Sequence, residues 1–256
     1  MASDPLERPD VVEVAGGVYV RVAVDNMAWI DLGGAALIVE ALEQAHLADE
    51  VAGAIASTLG DTPVKYVLNT HPHGDHTALN GFFRQRYGAE IINQRVAPMG
   101  PEGRWFEGPR RRAQMLPMPD CHTPYDCVVW LPDARALFVG DVFGWGLIPL
   151  SRELTDAAAQ LLIETHERLI AFQPEVVVPG HGPLCGAAEL LRWVEYFQWL
   201  REGVARAVEA GKSDKQIAAE LPPPQDMHGW WRFLLWKHED SLGKVVRAIR
   251  SGALSA

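Results

Sequence analysis

The chain has 256 residues, of which 48% are hydrophobic, and its formal net charge is −10 at pH 7. This length allows one large domain, or a domain with a helical appendage, and the composition is ordinary for a globular enzyme. The sequence has no apolar run of 18 residues and opens without a charged-then-apolar signal. We therefore expect a cytoplasmic protein without membrane contacts.

The net charge and the cysteines limit the possible binding partners and the state of the thiols. The net negative charge disfavours binding to nucleic acid, because such binding depends on Lys and Arg side chains that neutralise phosphates. Residues 110–112 form one Arg cluster, which we interpret as a solvated loop, with anion recognition as the alternative. Cys121, Cys127 and Cys185 cannot all pair and lack the CxxC spacing of a structural zinc site, so we expect reduced thiols.

The N-terminal third has the pattern of a layered α/β protein. Residues 11–24 and 27–40 are β-rich runs interrupted by paired glycines, which predicts two hairpins. Residues 42–59 have helical spacing of apolar side chains and stop at Gly60, a helix C-terminal signal. A strand over 64–68, a helix from Thr77 or Ala78 to Tyr87 and a strand over 90–92 then complete a strand–helix–strand order.

Residues 97–120 have no single regular pattern. They hold five prolines and three glycines, with Trp105 and Phe106 in the middle. A loop of that length inside a compact domain is often functional, so we expect either a lid over the substrate or an irregular surface connection. The following residues, 128–138, alternate as a strand, a turn and a strand.

The remainder is predicted to be mostly helical. Thr155 is a suitable N-cap for a helix through Phe172, and helices are also expected over 189–209, after Ser213, and from Trp230 to Ile249. The tryptophans of these C-terminal helices are expected to pack on the body or on a second subunit, which suggests a homodimer. The alternative is that they wall a pocket for an apolar acyl group.

Residues 70–76 read Thr-His-Pro-His-Gly-Asp-His and hold three histidines and one aspartate, side chains that bind metal ions. His71 and His73 project to the same side of an extended backbone, because side chains repeat with a period of two. They can bind one metal ion together, while Asp75 and His76 can reach a second ion beside it. The segment therefore predicts a metallohydrolase.

The further ligands that such a centre needs stand at strand ends or turns. His122 lies in a turn, Asp141 ends the apolar run 136–139, and His181 follows the run 176–178 in a Gly/Pro loop. Each alone is also explained as a turn residue, a helix cap or a surface residue. Together with residues 70–76 they are expected to be ligands, because loops at strand ends are where sites are built.

The order HxHxDH, HT, GD and PGHG resembles the metallo-β-lactamase superfamily over roughly residues 11–185. The resemblance implies an α/β fold, a four-layer αββα sandwich, with residues 1–185 as the catalytic domain and 186–256 as a C-terminal helical extension packed on it. It assigns His71, His73 and His122 to one metal ion, and Asp75, His76 and His181 to the other. Asp141 would bridge the two ions. True zinc β-lactamases tend to carry Cys or Ser at that position, so the resemblance points to other branches.

These observations together predict a dinuclear hydrolase that uses a metal-bridging hydroxide on a small-molecule ester, lactone or thioester. Zinc is the expected metal, with manganese and iron as alternatives. Asp75 is expected to relay a proton, and Tyr125, which replaces a glycine common in relatives, is nominated as an oxyanion donor. A phosphodiesterase or nuclease, an iron-dependent oxidoreductase and a non-catalytic binding protein are the alternatives.

Overall fold

The computed structural model describes Leu6 and residues 8–255. Its first sheet has six strands whose spatial order follows the chain. The paired glycines form the tight turns between β1 and β2 and between β3 and β4, as the sequence predicts. Helical crossovers make β5 and β6 parallel to β4. The strands are Asp10–Ala15 (β1), Val18–Val22 (β2), Met27–Asp31 (β3), Ala36–Val39 (β4), Val64–Leu68 (β5) and Glu90–Ile92 (β6).

The second sheet has five strands in the order β11-β10-β9-β8-β7. Neighbours are antiparallel except for β10 and β11, which are joined through a helix and run parallel. The β9 and β10 strands are buried at every residue, as expected for strands covered on both faces. The strands are Arg104–Glu107 (β7), Arg112–Pro117 (β8), Cys127–Leu131 (β9), Ala136–Gly140 (β10) and Val176–Pro179 (β11).

Three buried clusters show that the protein is a four-layer αββα sandwich. The middle cluster lies between the two sheets, a second lies between the first sheet and helices α1 and α2, and the third lies between the second sheet and the C-terminal helices. The α/β fold and its helical C-terminal part are thus as predicted. The helices are Ala48–Leu59 (α1), Asn80–Tyr87 (α2), Asp156–Ala171 (α3), Ala187–Glu209 (α4), Asp214–Glu220 (α5) and His238–Ser251 (α6).

Two predicted helices differ from the structure. The first begins only at Ala48, because Leu42 has a left-handed backbone and a 3-10 turn spans Ala45–Leu47. The helix predicted from Trp230 to Ile249 is broken, since Arg232 has φ of 55°. A π-helix over Phe233–Lys237 follows before α6 begins. Among the described helices, none has the length and apolarity to cross a membrane.

The expectation of a lid or an irregular connection over 97–120 was wrong for much of that segment. β7 and β8 form an antiparallel hairpin that ends the second sheet. Phe106, Ala113 and Met115 point between the sheets and are buried there. Trp105 faces outward and packs against the Arg112 guanidinium, 4.3 Å from its ring centroid. This hairpin is part of the core and does not cover the site.

Hydrogen bonds from the C-terminal helices fix the loop over residues 144–148, which follows β10. These bonds matter because the same loop continues to Pro149, which contacts a predicted ligand. The donors and acceptors are Trp193 Nε1 to Leu147 O (2.9 Å), Lys237 Nζ to Gly144 O (2.9 Å), Ser241 Oγ to Gly146 O (3.1 Å), Ile148 N to Ser241 Oγ (2.9 Å) and Lys244 Nζ to Ile148 O (2.7 Å).

The two neighbouring aromatics of β7 test its place in the core. Phe106→Ala is expected to lower the free energy of unfolding by about 3–5 kcal/mol, because it leaves a cavity between the sheets. The matched Trp105→Ala removes an exposed ring and is expected to cost about 1 kcal/mol or less. Urea unfolding of both variants measures the difference, and equal costs would contradict a buried hairpin.

Candidate metal centre

The predicted ligands lie where strands of both sheets end. His71, His73, Asp75 and His76 follow β5, with a 3-10 turn over Gly74–His76. His122 lies in the turn between β8 and β9, Asp141 directly follows β10, and His181 comes two residues after β11. Hydrogen bonds from Cys127 N to Thr70 O and from Gly180 N to Gly140 O, 2.7 and 2.9 Å long, tie these loops together.

The structure brings all seven predicted metal residues into two adjacent groups. His71, His73 and His122 form one group, and Asp75, His76, Asp141 and His181 form the other. Within each group the ligand atoms lie within 4.8 Å of one another. His73 Nδ1 and His122 Nε2 are 3.1 Å apart, so two nitrogen atoms converge on one point. Either group could hold a transition-metal ion.

Asp141 links the two groups through its two carboxylate oxygens. Oδ2 faces the first group, 3.9 Å from His71 Nε2 and 3.6 Å from His122 Nε2. Oδ1 faces the second group, 3.4 Å from Nε2 of both His76 and His181. This arrangement is compatible with a carboxylate shared between two ions.

Each of four imidazoles is oriented by a contact on its other nitrogen, as metal-binding histidines usually are. His122 Nδ1 donates to Pro149 O at 2.7 Å. His181 Nδ1 donates to Asp25 Oδ1 at 2.9 Å. The remaining contacts are His71 Nδ1 with Thr70 Oγ1 (3.2 Å) and His76 Nδ1 with Glu40 Oε2 (3.2 Å). Each of these contacts leaves the Nε2 atom directed into the site.

Unpartnered buried atoms indicate that this site fits metal ions. His71 Nε2, His76 Nε2 and Asp141 Oδ1 are buried and have no hydrogen-bond partner, which is costly for polar atoms. Gly180 keeps the space open, because a Cβ there would lie 2.3 Å from Asp141 Oδ1 and 2.8 Å from His76 Cε1. A cation coordinated by these atoms would satisfy them.

The charges in the two groups differ. Burial lowers the pKa of His71 to about 2, so its imidazole is neutral and able to act as a ligand. Burial also opposes the charged form of His76 and His181. The carboxylates of Glu40 and Asp141 nevertheless raise the pKa of His76 to about 10, and Asp141, Asp25 and Asp75 raise that of His181 to about 12. The second group therefore favours positive charge strongly.

A cavity of about 350 Å³ opens over the two groups. Asp75, His122, Asp141 and His181 line it, and the opposite walls come from the loop after β10 and from residues 231–237. Trp231 and Trp236 are among them, so the alternative interpretation, that tryptophans wall a pocket, is the one the structure favours for these two. Tyr125 does not line the cavity and is 39% exposed, and its catalytic role stays a prediction.

Three acidic residues that support the site were missed in the sequence. Glu40 is buried with a left-handed backbone, and its carboxylate accepts a hydrogen bond from the Thr70 hydroxyl. Asp25 orients His181. Asp126 accepts hydrogen bonds from the backbone N–H groups of residues 121–123 and so fixes the turn that carries His122. A single acid after a strand or in a turn has no spacing signal, although the Thr-x-x-Asp pattern at 123–126 suggests a turn.

Comparison with known proteins identifies the family. The sequence pattern of the metallo-β-lactamase superfamily matches residues 22–120 and 97–181. The chain belongs to this superfamily. No curated protein matches this metallo-β-lactamase superfamily member in sequence.

Solved structures share the fold of this superfamily member at low sequence identity. A metallo-β-lactamase from Pontibacter korlensis is 18% identical with a TM-score of 0.62, covering 75% of this chain and 99% of that one. An inverting sec-alkylsulfatase from Pseudomonas sp. is 14% identical with a TM-score of 0.72 and covers 94% of this chain, which spans half of that enzyme. Rubredoxin oxygen:oxidoreductase from Desulfovibrio gigas is 14% identical, with a TM-score of 0.60, covering 82% and 75%.

Metal analysis of variants tests the division into two groups. We expect the wild-type chain, reconstituted with excess zinc, to hold close to two ions. His181→Ala is expected to hold about one, because it removes a side chain of the second group only. Asp141→Ala is expected to lose affinity at both positions, since its oxygens face both groups. Elemental analysis after gel filtration measures the stoichiometry, and a wild type that never exceeds one ion would contradict a dinuclear centre.

Proposed function

We propose that the protein is a dinuclear metal-dependent hydrolase of a small-molecule ester, lactone or thioester. The observation that carries this proposal is the position of Asp141, whose two oxygens face two groups of imidazoles at 3.4–3.9 Å. Two neighbouring cations held in this way are a common device for hydrolysis.

The proposed ligands are those predicted from the sequence. His71, His73 and His122 would hold one ion, and Asp75, His76 and His181 would hold the other. Asp141 would be shared by the two sets. Histidine and carboxylate ligands suit zinc, which we propose, with manganese or iron as alternatives. When bound, such a pair of ions makes a nucleophile from water at neutral pH and polarises the oxygen of the substrate.

Asp75 has the position and charge for proton transfer. Its Oδ2 lies 3.3 Å from His181 Nε2, and the carboxylate lines the cavity. The hydrogen bond with His181 lowers the pKa of Asp75 to about 2 despite partial burial. The group is therefore a carboxylate at neutral pH, and it can accept a proton from the nucleophile and pass it to the leaving group.

The thiols are poor candidates for a covalent mechanism. Burial raises the pKa of Cys121 to about 11 and that of Cys127 to about 12, and it raises the pKa of Cys185 as well. Almost no thiolate is present at pH 7, and the thiolate is the reactive form. The sequence also lacks a GxSxG nucleophile elbow. These points support attack by water.

The cavity suits a small substrate with an apolar part. Its volume of about 350 Å³ is within the range of small-molecule sites. Phe143, Leu147 and the two tryptophans supply apolar walls beside the ligands. This shape favours an ester, lactone or thioester with an acyl or alkyl group and disfavours a polymer such as nucleic acid.

Sulfate-ester hydrolysis is a second candidate. The similarity to the Pseudomonas sec-alkylsulfatase extends over 94% of the chain, whereas the similarity to the Pontibacter metallo-β-lactamase extends over 75%. A share of 94% necessarily includes most of the helical C-terminal part of this chain. A sulfate ester is therefore included in the substrate test.

A panel of chromogenic substrates tests the function. Metal-loaded protein is expected to hydrolyse at least one carboxylic ester, lactone or thioester, and to lose this activity on chelation and regain it with added zinc or manganese. Alkylation of the cysteines is expected to leave most of the rate, because Cys121 and Cys127 are buried and all three thiols are protonated at pH 7. Initial rates on these substrates and on alkyl sulfate, phosphodiester and β-lactam controls measure the preference. Activity that survives complete chelation would contradict the proposal.

The variant Asp75→Asn tests proton transfer, because it keeps the shape of the side chain and removes its basic oxygen. We expect kcat to fall roughly 10²–10⁴-fold, the usual contribution of a general acid–base group. The comparison is made at equal metal content, measured on the same samples, with Asp61→Asn in an exposed turn as the control. Near-wild-type turnover with two ions bound would exclude Asp75 as the proton carrier.

A further inference from the structure

Lys237 is a buried lysine in the wall of the cavity. It ends the π-helix Phe233–Lys237, is 3% exposed and lines the same cavity as the metal groups. Its ammonium donates a hydrogen bond to Gly144 O at 2.9 Å. The ammonium also lies 4.3 Å from the ring centroid of Trp231 and 5.8 Å from that of Trp236. Two aromatic rings and one carbonyl oxygen therefore surround the charge.

None of these contacts supplies a counter-ion to Lys237. Within the part of the chain that the structure describes, no carboxylate forms an ion pair with its ammonium, although Asp141 acts on it at longer range. Burial, followed by the charge of Arg232, lowers the pKa of Lys237 to about 7. A buried lysine without an ion-pair partner is uncommon, because transferring an unpaired charge out of water is costly. A counter-ion in the cavity would offset this cost.

The charges that line the cavity are segregated. Four acidic residues line the cavity. Asp75 and Asp141 belong to the metal centre, Asp25 orients His181, and Glu43 is the fourth. The Lys and Arg residues of the lining are Lys237 and Arg232, which both come from the short segment 231–237. Both cationic side chains of the lining thus come from one segment, whereas the metal residues come from the loops that follow the strands.

The cationic segment is seated firmly beside the metal centre. Gly182, next to His181, has φ of +90° and allows Trp231 to approach closely, since a Cβ there would lie 2.6 Å from the indole ring. Arg232 has a left-handed backbone, a strained state for a long side chain, and its guanidinium lies 4.4 Å from the Trp231 ring. These close contacts indicate that the residues of this wall are held in place before a ligand binds.

We propose that Lys237, supported by the positive charge of Arg232, binds an oxyanion carried by the substrate, either a carboxylate or a sulfate. This inference rests on the proposed function only in taking the cavity as the substrate site. The apolar part of the substrate packs on Trp231 and Trp236, beside the ammonium. The substrate class is therefore an amphiphilic anion: an alkyl or acyl compound with one oxyanion group.

The chemistry of the wall fits this class. An ammonium group forms short, charge-assisted hydrogen bonds to carboxylate or sulfate oxygens, and these are stronger than bonds between neutral groups. Burial strengthens the attraction, because water screens it less. A neutral ester would leave the ammonium without a counter-ion, so the wall discriminates against substrates that lack the anionic group.

Calorimetric titration of the metal-loaded protein tests the subsite directly. Three probes share one chain length and differ in the head group: hexanoate, hexyl sulfate and the neutral hexan-1-ol. The test variant is Lys237→Met, with Lys237→Gln as a second neutral variant and Lys237→Arg to restore the charge. Lys244→Met is the matched control, because Lys244 also donates to the loop after β10, at Ile148 O, but does not line this cavity. Urea unfolding confirms that each variant is folded.

We expect the wild-type protein to bind at least one anion tenfold or more tightly than hexan-1-ol. Both neutral variants are expected to lose roughly ten- to hundredfold in affinity for that anion, as for a charge-assisted hydrogen bond. Lys237→Arg is expected to recover most of the loss, and binding of hexan-1-ol and the control variant should be unchanged. The tighter of hexanoate and hexyl sulfate identifies the oxyanion.

Two results would overturn the subsite. Anion affinity that is unchanged in both neutral variants would mean that the metal ions alone bind the anion. A wild-type preference for hexan-1-ol would mean that the wall is only apolar. Hydrolysis is not needed for either measurement, so absence of esterase activity would refute the proposed function and leave the subsite standing if binding depends on Lys237.

Discussion

The position of one partly buried carboxylate among imidazoles is the constraint on which the rest of the site depends. Asp141 would be costly to bury alone, and its position is stable only where positive charge approaches both of its oxygens. Asp141 itself follows β10, and the loops that follow β5, β8 and β11 converge on it from both sheets. Gly180 is required at the closest approach, because any side chain there would collide with Asp141. The sandwich therefore serves to bring four strand ends to one carboxylate.

The same constraint explains the acids around the centre. Glu40, Asp25 and Asp126 do not belong to either group of predicted ligands, yet each one orients a histidine or the turn that carries it. Two of the three are buried and are held by hydrogen bonds to hydroxyl or backbone N–H groups. Burying so many carboxylates is favourable only near concentrated positive charge, so the surroundings of the site are consistent with the ions that the family binds.

The sequence predicted the layers, and it also singled out the seven side chains that the structure brings together in two groups, because each of these features had a local signal. Paired glycines marked the hairpins, Thr155 marked the start of α3 with a side chain that accepts from Ala158 N, and residues 70–76 combined histidine and aspartate at coordinating intervals. The hairpin β7–β8 was missed because the prolines and glycines around it hide the short alternation of apolar and polar residues in its strands. The break at Arg232 has no local signal at all, since it depends on how Trp231 packs against Gly182, 49 residues earlier in the chain.

The bonds between the C-terminal helices and residues 144–148 have a consequence for how the protein folds. That loop continues to Pro149, whose carbonyl orients His122. The loop therefore connects α6, the last helix of the chain, with the turn that carries His122. Local melting of α6 therefore removes support from one imidazole before it disturbs either sheet. The centre and the C-terminus should open as one cooperative unit, and ion binding at the centre should slow hydrogen exchange in α6, far along the chain from every predicted ligand.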